Sequence, residues 1–246
     1  MRILYFTKSK KYTIQALEKM MKDGHQVDVV FKSPESGKDS EMSEICRQNG
    51  IRQYFHEEIY CDGFFERNKY DLGISNTFGK RIKKEAIQQL KGRIFNIHCA
   101  PLPEYKGMFM YNWGIYYQEN KWRVTAHYVN EFFDDGAIIG TEEFSIDPKT
   151  ITVAKLEDMS QKKAYELTFE MISKFSDSNM PVGISQTGNG HYFSRNDFEE
   201  LKRIEMNYSC EEIIRRIRAC YCPGYEGAYF IKDGYKFPIK AEGFFN

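Results

Sequence analysis

Over the first 98 residues, short apolar segments alternate with segments of helical period, and this alternation narrows the possible folds more than any other feature. Residues 2–6 read as a strand, and 12–22 follow with Ile14, Leu17, Met20 and Met21 at helical spacing before Gly24. A second strand is expected over 26–32, a polar loop over 33–40, a short helix over 41–49 ending at Asn49-Gly50, and a third strand over 51–55. A helical stretch at 60–69, a strand at 71–75, a helix at 83–90 and a strand at 92–98 complete the series. A strand that returns through a helix to the next strand comes back parallel to the first. The pattern therefore predicts an α/β fold with a Rossmann-like, mostly parallel, doubly wound sheet.

After a Pro-rich loop at 101–107 the pattern changes. Residues 111–119 read as a helix with Trp113 and Tyr117 on one face, both expected in the core, and 123–129 (R-V-T-A-H-Y-V) as an alternating strand. Residues 137–144 return as another strand, antiparallel because the turn between is too short for a crossover helix. The longest helical stretch, 152–174, offers Leu156, Met159, Ala164, Leu167 and Met171 to the core. Ser209 and Glu212 form a capping-box pattern opening a helix to Cys220, which Pro223-Gly224 stops. Two aromatic strands, 228–232 and 235–239, flank Asp233-Gly234, the two-residue type I′ hairpin signal. The expected division is 1–178 as the main domain and 179–246 as a small unit of helix plus β-hairpin. A lone hairpin is marginal in water, so this one needs a partner surface.

Charge and cysteine content exclude several classes of function. Lys plus Arg and Asp plus Glu number 35 each, a net charge of zero, so no global basic field exists to hold a nucleic acid. The six cysteines have no paired framework and no zinc spacing, which predicts reduced thiols and no metal. The apolar run at 1–7 is too brief for a signal segment and no later run approaches a membrane span, so a cytoplasmic protein without membrane contact is expected.

The chemistry concentrates in two stretches, F-N-I-H-C-A-P-L-P-E-Y-K-G at 95–107 and F-D-D-G-A-I-I at 133–139. Strand side chains alternate, so Asn96 and His98 share one face at the C-terminal end of a strand, where open α/β sheets build their sites. Asp134 or Asp135 adds a carboxylate just before Gly136, whose freedom suits a tight turn. An imidazole that accepts a proton near neutral pH, an amide that donates to an oxyanion and a carboxylate nearby are the parts needed to take a proton from an amine and steady an oxyanion. His25, His56, His127 and His191 lack such company and read as structural or surface residues. Cys99 faces away from His98, which argues against a cysteine nucleophile.

These motifs resemble the formyltransferase family, in which an Asn-x-His strand runs into a Pro-containing loop ending in aromatic-basic-Gly and an Asp-x-Gly turn follows. The resemblance covers about the first 150 residues, departing where Ala100 and Pro101 replace the usual Ser and Leu and where Lys80 and Arg81 shift a basic position. It implies the formyltransferase fold, Asn96, His98 and Asp134 as catalytic residues, and N10-formyltetrahydrofolate as co-substrate. Its folate contacts fall at Phe78, Lys80, Arg81, Ile82, Phe132 and Phe133, with the 71–82 segment similar to one whose backbone holds a pterin. The C-terminal stretch 218–230 with its hairpin looks like that of nucleotide-sugar N-formyltransferases. This implies a homodimer through the hairpin and, as acceptor, the amino group of a dTDP-linked dideoxy sugar, first dTDP-4-amino-4,6-dideoxyglucose and close behind it the 3-amino isomers. Lys8, Ser9 and Lys10 read equally as side-chain contacts to a diphosphate or as a solvated loop. Tyr105, Tyr221 and Tyr225 are candidates for stacking on base or sugar, or for dimer packing. The alternatives are glycinamide ribonucleotide formyltransferase, although the loop after the first strand has no Gly to cradle a phosphate, and a non-catalytic folate- or nucleotide-binding relative.

Overall fold

The computed structural model describes residues 1–37, 40–176, 180–188 and 190–241. The chain divides into two compact units, each gathered from three stretches. Unit 1 is Met1–His98, Thr125–Glu142 and Lys162–Thr187; unit 2 is Cys99–Val124, Glu143–Gln161 and Gly188–Asn246.

The sheet is seven-stranded. β1 (Arg2–Thr7), β2 (Gln26–Phe31), β3 (Gln53–Phe55), β4 (Leu72–Asn76), β5 (Ile94–His98), β7 (Lys121–Tyr128) and β8 (Ile138–Ser145) lie in the order β3-β2-β1-β4-β5-β7-β8. The pairs from β3 through β5 are parallel, and β7 joins β5 antiparallel. The fold is thus the mostly parallel α/β architecture expected. Its central strands are apolar on both faces because helices cover both: Ile3, Leu4, Tyr5 and Phe6 of β1 are wholly buried. The chain builds outward from β1 to β2 and β3, then resumes on the other side with β4 and β5. The switch in direction therefore falls between the C-terminal ends of β1 and β4.

Helices α1 (Lys11–Lys22), α3 (Glu41–Gln48) and α5 (Lys84–Gln89) follow the sequence closely. α1 ends at Asp23 with Gly24 at φ 81°, the left-handed residue that closes many helices. Ser40 caps α3 by accepting from the Ser43 N–H at 3.2 Å. The expected loop at 33–40 contains a four-residue helix, α2 (Pro34–Gly37); residues 38–39 lie outside the described part. β3 starts later than expected because the Ile51 N–H closes the end of α3 on Cys46 O. The helix expected over 60–69 is broken into a 3-10 turn, Glu58–Tyr60, and α4 (Phe64–Arg67), separated by Gly63 at φ 75°. Within unit 1 the later turns of α7 (Val153–Ser176) bring Leu167 and Met171 beneath Gly140, where a Cβ would stand 2.7 Å from Met171 Cε. Phe175 stacks on Phe95 with ring centroids 5.4 Å apart. Each such fully buried phenyl contributes about 2–3 kcal/mol.

Unit 2 contains three elements the sequence pattern did not announce. β6 (Tyr105–Gly107) pairs in parallel with β9 (His191–Phe193), and α8 (Arg195–Lys202) follows. Gly107, at φ 92°, lets the two backbones meet: a Cβ there would lie 2.5 Å from Phe193 O. α6 (Met110–Tyr116) buries Trp113, but Tyr117, expected beside it in the core, is 53% exposed. α9 (Cys210–Cys220) shows only half of its capping box. Ser209 accepts from the Glu212 N–H, while the Glu212 carboxylate turns instead to Arg216 at 2.6 Å and Tyr116 at 2.9 Å. The hairpin β10 (Tyr229–Lys232) and β11 (Tyr235–Pro238) turns at Asp233 (φ 51°) and Gly234 (φ 81°), the two left-handed residues of a type I′ turn. No helix among the described residues is long and apolar enough to cross a membrane.

Candidate active site

The site is assembled from the end of β5, the facing part of β7 and the acidic turn beyond it, all in unit 1. β5 and β7 run antiparallel with Asn96 opposite His127 and His98 opposite Thr125. His98 and His127 are buried and Asn96 half-buried. The Asn96 side-chain amide donates to His127 Nε2 at 3.0 Å, and His127 Nδ1 lies 2.8 Å from Tyr128 O. A carbonyl oxygen only accepts, so Nδ1 carries the hydrogen and Nε2 is the acceptor for Asn96.

The acidic turn places its carboxylate by backbone strain and close packing. Asp134 has φ 53°, a left-handed conformation that Asp tolerates better than most residues. Gly136, expected for the tight turn, is needed for close approach: a Cβ there would sit 1.7 Å from Tyr128 O. Gln186 braces the turn by donating to the carbonyl oxygens of Asp134 and Gly136, each at 2.9 Å. Held this way, Asp134 Oδ1 lies 3.4 Å from His98 Nδ1 and 3.7 Å from His127 Nε2. Asp135 is an exposed turn residue. A carboxylate against Nδ1 of His98 favours hydrogen on that nitrogen and leaves Nε2 as the acceptor. The cluster can take up a proton at His98 and return it, with an amide donor one pleat away on the same strand.

The positions expected to contact folate fall into three groups. Phe78 and Ile82 are core residues, packed with Phe6 and Ala86, and offer a ligand only their backbone. Lys80 is tied to Glu57 at 2.8 Å, alongside Lys83 at 3.1 Å. Bonds from Lys80, His56 and Lys83 hold the Glu57 carboxyl down at about 2. Arg81 lies over the Phe133 ring, 5.6 Å from its centroid, while its carbonyl oxygen accepts from His56 Nε2 at 2.9 Å. Phe132 and Phe133 are exposed. Together with Arg81 they present a partly cationic aromatic surface suited to a planar ring.

In the loop after β1, Lys8 is exposed, Ser9 Oγ accepts from the Met42 N–H at 3.2 Å, and Lys10 is the N-cap of α1. Tyr105, expected as a stacking surface, is instead a packing residue of unit 2. It is 5% exposed, its ring lies against Trp122 and Phe193, and its hydroxyl donates to Glu119 at 2.6 Å. Burial pushes its phenol well up, so it stays protonated. Tyr221 is half-buried and Tyr225 is 78% exposed.

Sequence reasoning passed over two residues that the structure brings to the site. His127 was assigned to structure or surface; it lies seven positions before Asp134 on the same strand face as Thr125, but only its pairing opposite Asn96 reveals its place. Gln186 carries no local signal at all. Among the described residues no group of three or more His, Cys, Asp or Glu could hold a metal.

Residues 1–172 match the family model described as formyl transferase. A methionyl-tRNA formyltransferase of Thermodesulfovibrio yellowstonii is 26% identical over 254 residues, covering 97% of this chain and 80% of its own. Among solved structures, a 4-N formyltransferase from Francisella tularensis superposes with a TM-score of 0.80 at 22% identity, covering 97% of this chain and 96% of its own. WlaRD, a sugar 3N-formyl transferase solved in the presence of dTDP and 5-N-formyl-THF, gives 0.76 at 26% identity, covering 96% and 84%. With most of its length accounted for by that one family model, the chain belongs to the formyl transferase family.

Proposed function

We propose that the chain transfers a formyl group from N10-formyltetrahydrofolate to the amino group of a dTDP-linked amino-dideoxy sugar, with dTDP-4-amino-4,6-dideoxyglucose as the best-matched acceptor. The observation that carries the chemistry is the approach of Asp134 Oδ1 to His98 Nδ1 at 3.4 Å, on the strand that also bears Asn96. His98 Nε2 takes the proton from the amine as its nitrogen bonds to the formyl carbon. Asn96, one of whose amide hydrogens goes to His127, directs the other at the negative charge developing on the carbonyl oxygen. Asp134 stabilises the His98 imidazolium, which then returns its proton to the departing folate nitrogen as the old carbon–nitrogen bond breaks. Folate supplies a formyl group already activated on nitrogen. Arg81, Phe132, Phe133 and the backbone around Phe78, Lys80 and Ile82 would hold its ring.

The acceptor rests on two supports. Solved proteins named as sugar formyltransferases match this chain over nearly its whole length, the C-terminal unit included. Lys8, Ser9 and Lys10 lie together after β1, where side chains would meet a diphosphate, and Tyr221 and Tyr225 would serve the base or a dimer contact. Residues 179–246 would act as a dimerisation element, since the hairpin exposes Ile231, Tyr235 and Phe237. A second reading, methionyl-tRNA as acceptor, is favoured by relatives such as that of T. yellowstonii; a net charge of zero weighs against it.

The test is a mass-spectrometric acceptor screen with N10-formyltetrahydrofolate and dTDP-3-amino sugars, dTDP-4-amino sugars, glycinamide ribonucleotide and methionyl-tRNA in parallel. A gain of one formyl mass on a dTDP-4-amino sugar supports the reading. Transfer only to the ribonucleotide or the tRNA replaces the acceptor, and transfer to none leaves a non-catalytic binding protein.

A further inference from the structure

At the switch in sheet direction, three residues stand in a row across the C-terminal edge. Thr7 of β1 pairs with Asn76 of β4, and Asn76 pairs with Ile97 of β5, the neighbour of His98. Strands are about 4.8 Å apart, so the row spans about 10 Å from the loop of Lys8, Ser9 and Lys10 to the strand of the candidate base. The middle of this row is costly for the protein alone. Asn76 is 2% exposed and its Oδ1 is buried without a hydrogen-bond partner; the same holds for Thr77 Oγ1. Thr77 also has φ 57°, a left-handed conformation that a β-branched residue adopts only under strain. An unmatched buried acceptor, an unmatched hydroxyl and a strained backbone in consecutive residues favour neither folding nor packing, and such costs gather where a ligand repays them.

We infer that Asn76 and Thr77 form the subsite for the acceptor's sugar ring. The inference rests on the proposed reaction: a molecule with its diphosphate at Lys8, Ser9 and Lys10 and its amine at His98 must lay the ring between them across the end of β4. A hexose ring about 5 Å wide fits the span of two strand spacings. Asn76 Oδ1 only accepts, so it takes an O–H or N–H of the ring, and Thr77 Oγ1 donates to a ring oxygen or accepts in turn. The pair thereby reads the arrangement of hydroxyl and amino groups on the sugar.

The experiment compares wild type with Asn76→Leu and Thr77→Val, near-isosteric changes that each remove the hydrogen-bonding group; Thr77→Val, which keeps the β-branch, serves if Asn76→Leu does not fold. Three quantities are read: Tm without ligand, the Tm rise given by the dTDP-amino sugar alone, and the two KM values. Each variant is expected to melt no lower than wild type, to lose most of the sugar-induced rise, and to show KM for the sugar raised about tenfold, one matched hydrogen bond's worth. KM for N10-formyltetrahydrofolate stays put. An unchanged KM for the sugar, or a raised KM for folate in its place, overturns the subsite while leaving the reaction standing. A wild type that neither binds nor formylates any dTDP-amino sugar overturns the reaction and the subsite together.

Discussion

The two ends of the parallel sheet treat their polar groups in opposite ways. At the N-terminal end, Asp28 is buried, yet every charge around it is matched: Arg2 at 3.0 Å, Arg52 at 2.9 Å and the Tyr70 hydroxyl at 2.7 Å, with Asn68 bridging both arginines. Burial pushes the Asp28 carboxyl up, while Tyr70 and Arg2 pull it down. At the C-terminal end, Asn76 and Thr77 leave buried atoms unmatched, and Thr77 and Asp134 hold left-handed backbone. The first end is finished by folding. The second is built to be completed by ligands, and its strain is offset by the packing of the rest of unit 1.

The largest test of this contrast is His98→Ala, expected to lower kcat for formyl transfer by about 10²–10⁴-fold with little change in Tm. An active variant would remove the C-terminal end's claim to the chemistry. At the other end, Asp28→Ala strands two guanidinium groups and a phenol, and thermal melts should show a loss of about 2–3 kcal/mol, a fall in Tm of about 5–10 °C, with kcat of the folded protein kept. A stable Asp28→Ala protein would mean that the matched network contributes nothing. Gln186→Leu removes the brace from the Asp134 turn, and kcat should drop about tenfold while KM for either substrate barely moves; a change confined to KM would assign Gln186 to binding.

The smallest effect concerns pH. The Glu57 carboxyl is held at about 2 against an ordinary 4.5, chiefly by Lys80 and then by His56 and Lys83. A depressed folded value means stability that is present in full above 4.5 and lost as pH falls toward 2. Glu57→Gln should flatten the acid limb of a Tm-versus-pH curve, and an unaltered limb would show that this exposed cluster is screened away.

Much of this was legible along the chain because the signals are local. Alternating strand and helix periods specify a parallel sheet, and the period of two puts Asn96 and His98 on one face. Asp233-Gly234 supplies the two left-handed residues of its hairpin. Where the reading slipped, a partner distant in sequence had decided the outcome. Tyr105 looked like an exposed stacking residue until β6 was paired with β9, which closes Phe193 over it. The Glu212 carboxylate left its capping box because Arg216 and Tyr116 offered stronger bonds.

The sequence by itself therefore determined the fold class, the hairpin, and the presence of an amide, an imidazole and a carboxylate at a strand end and a nearby turn. That His127 locks the Asn96 amide, that Gln186 braces the turn, and that Asn76 and Thr77 carry unmatched buried atoms at the switch point were decided by tertiary structure alone. Periodicity and turn chemistry act between residues a few positions apart. The pairing of Asn96 with His127, the approach of Gly136 to Tyr128 O and the row Thr7, Asn76 and Ile97 depend on register between strands far apart in the chain, which only the packed sheet fixes.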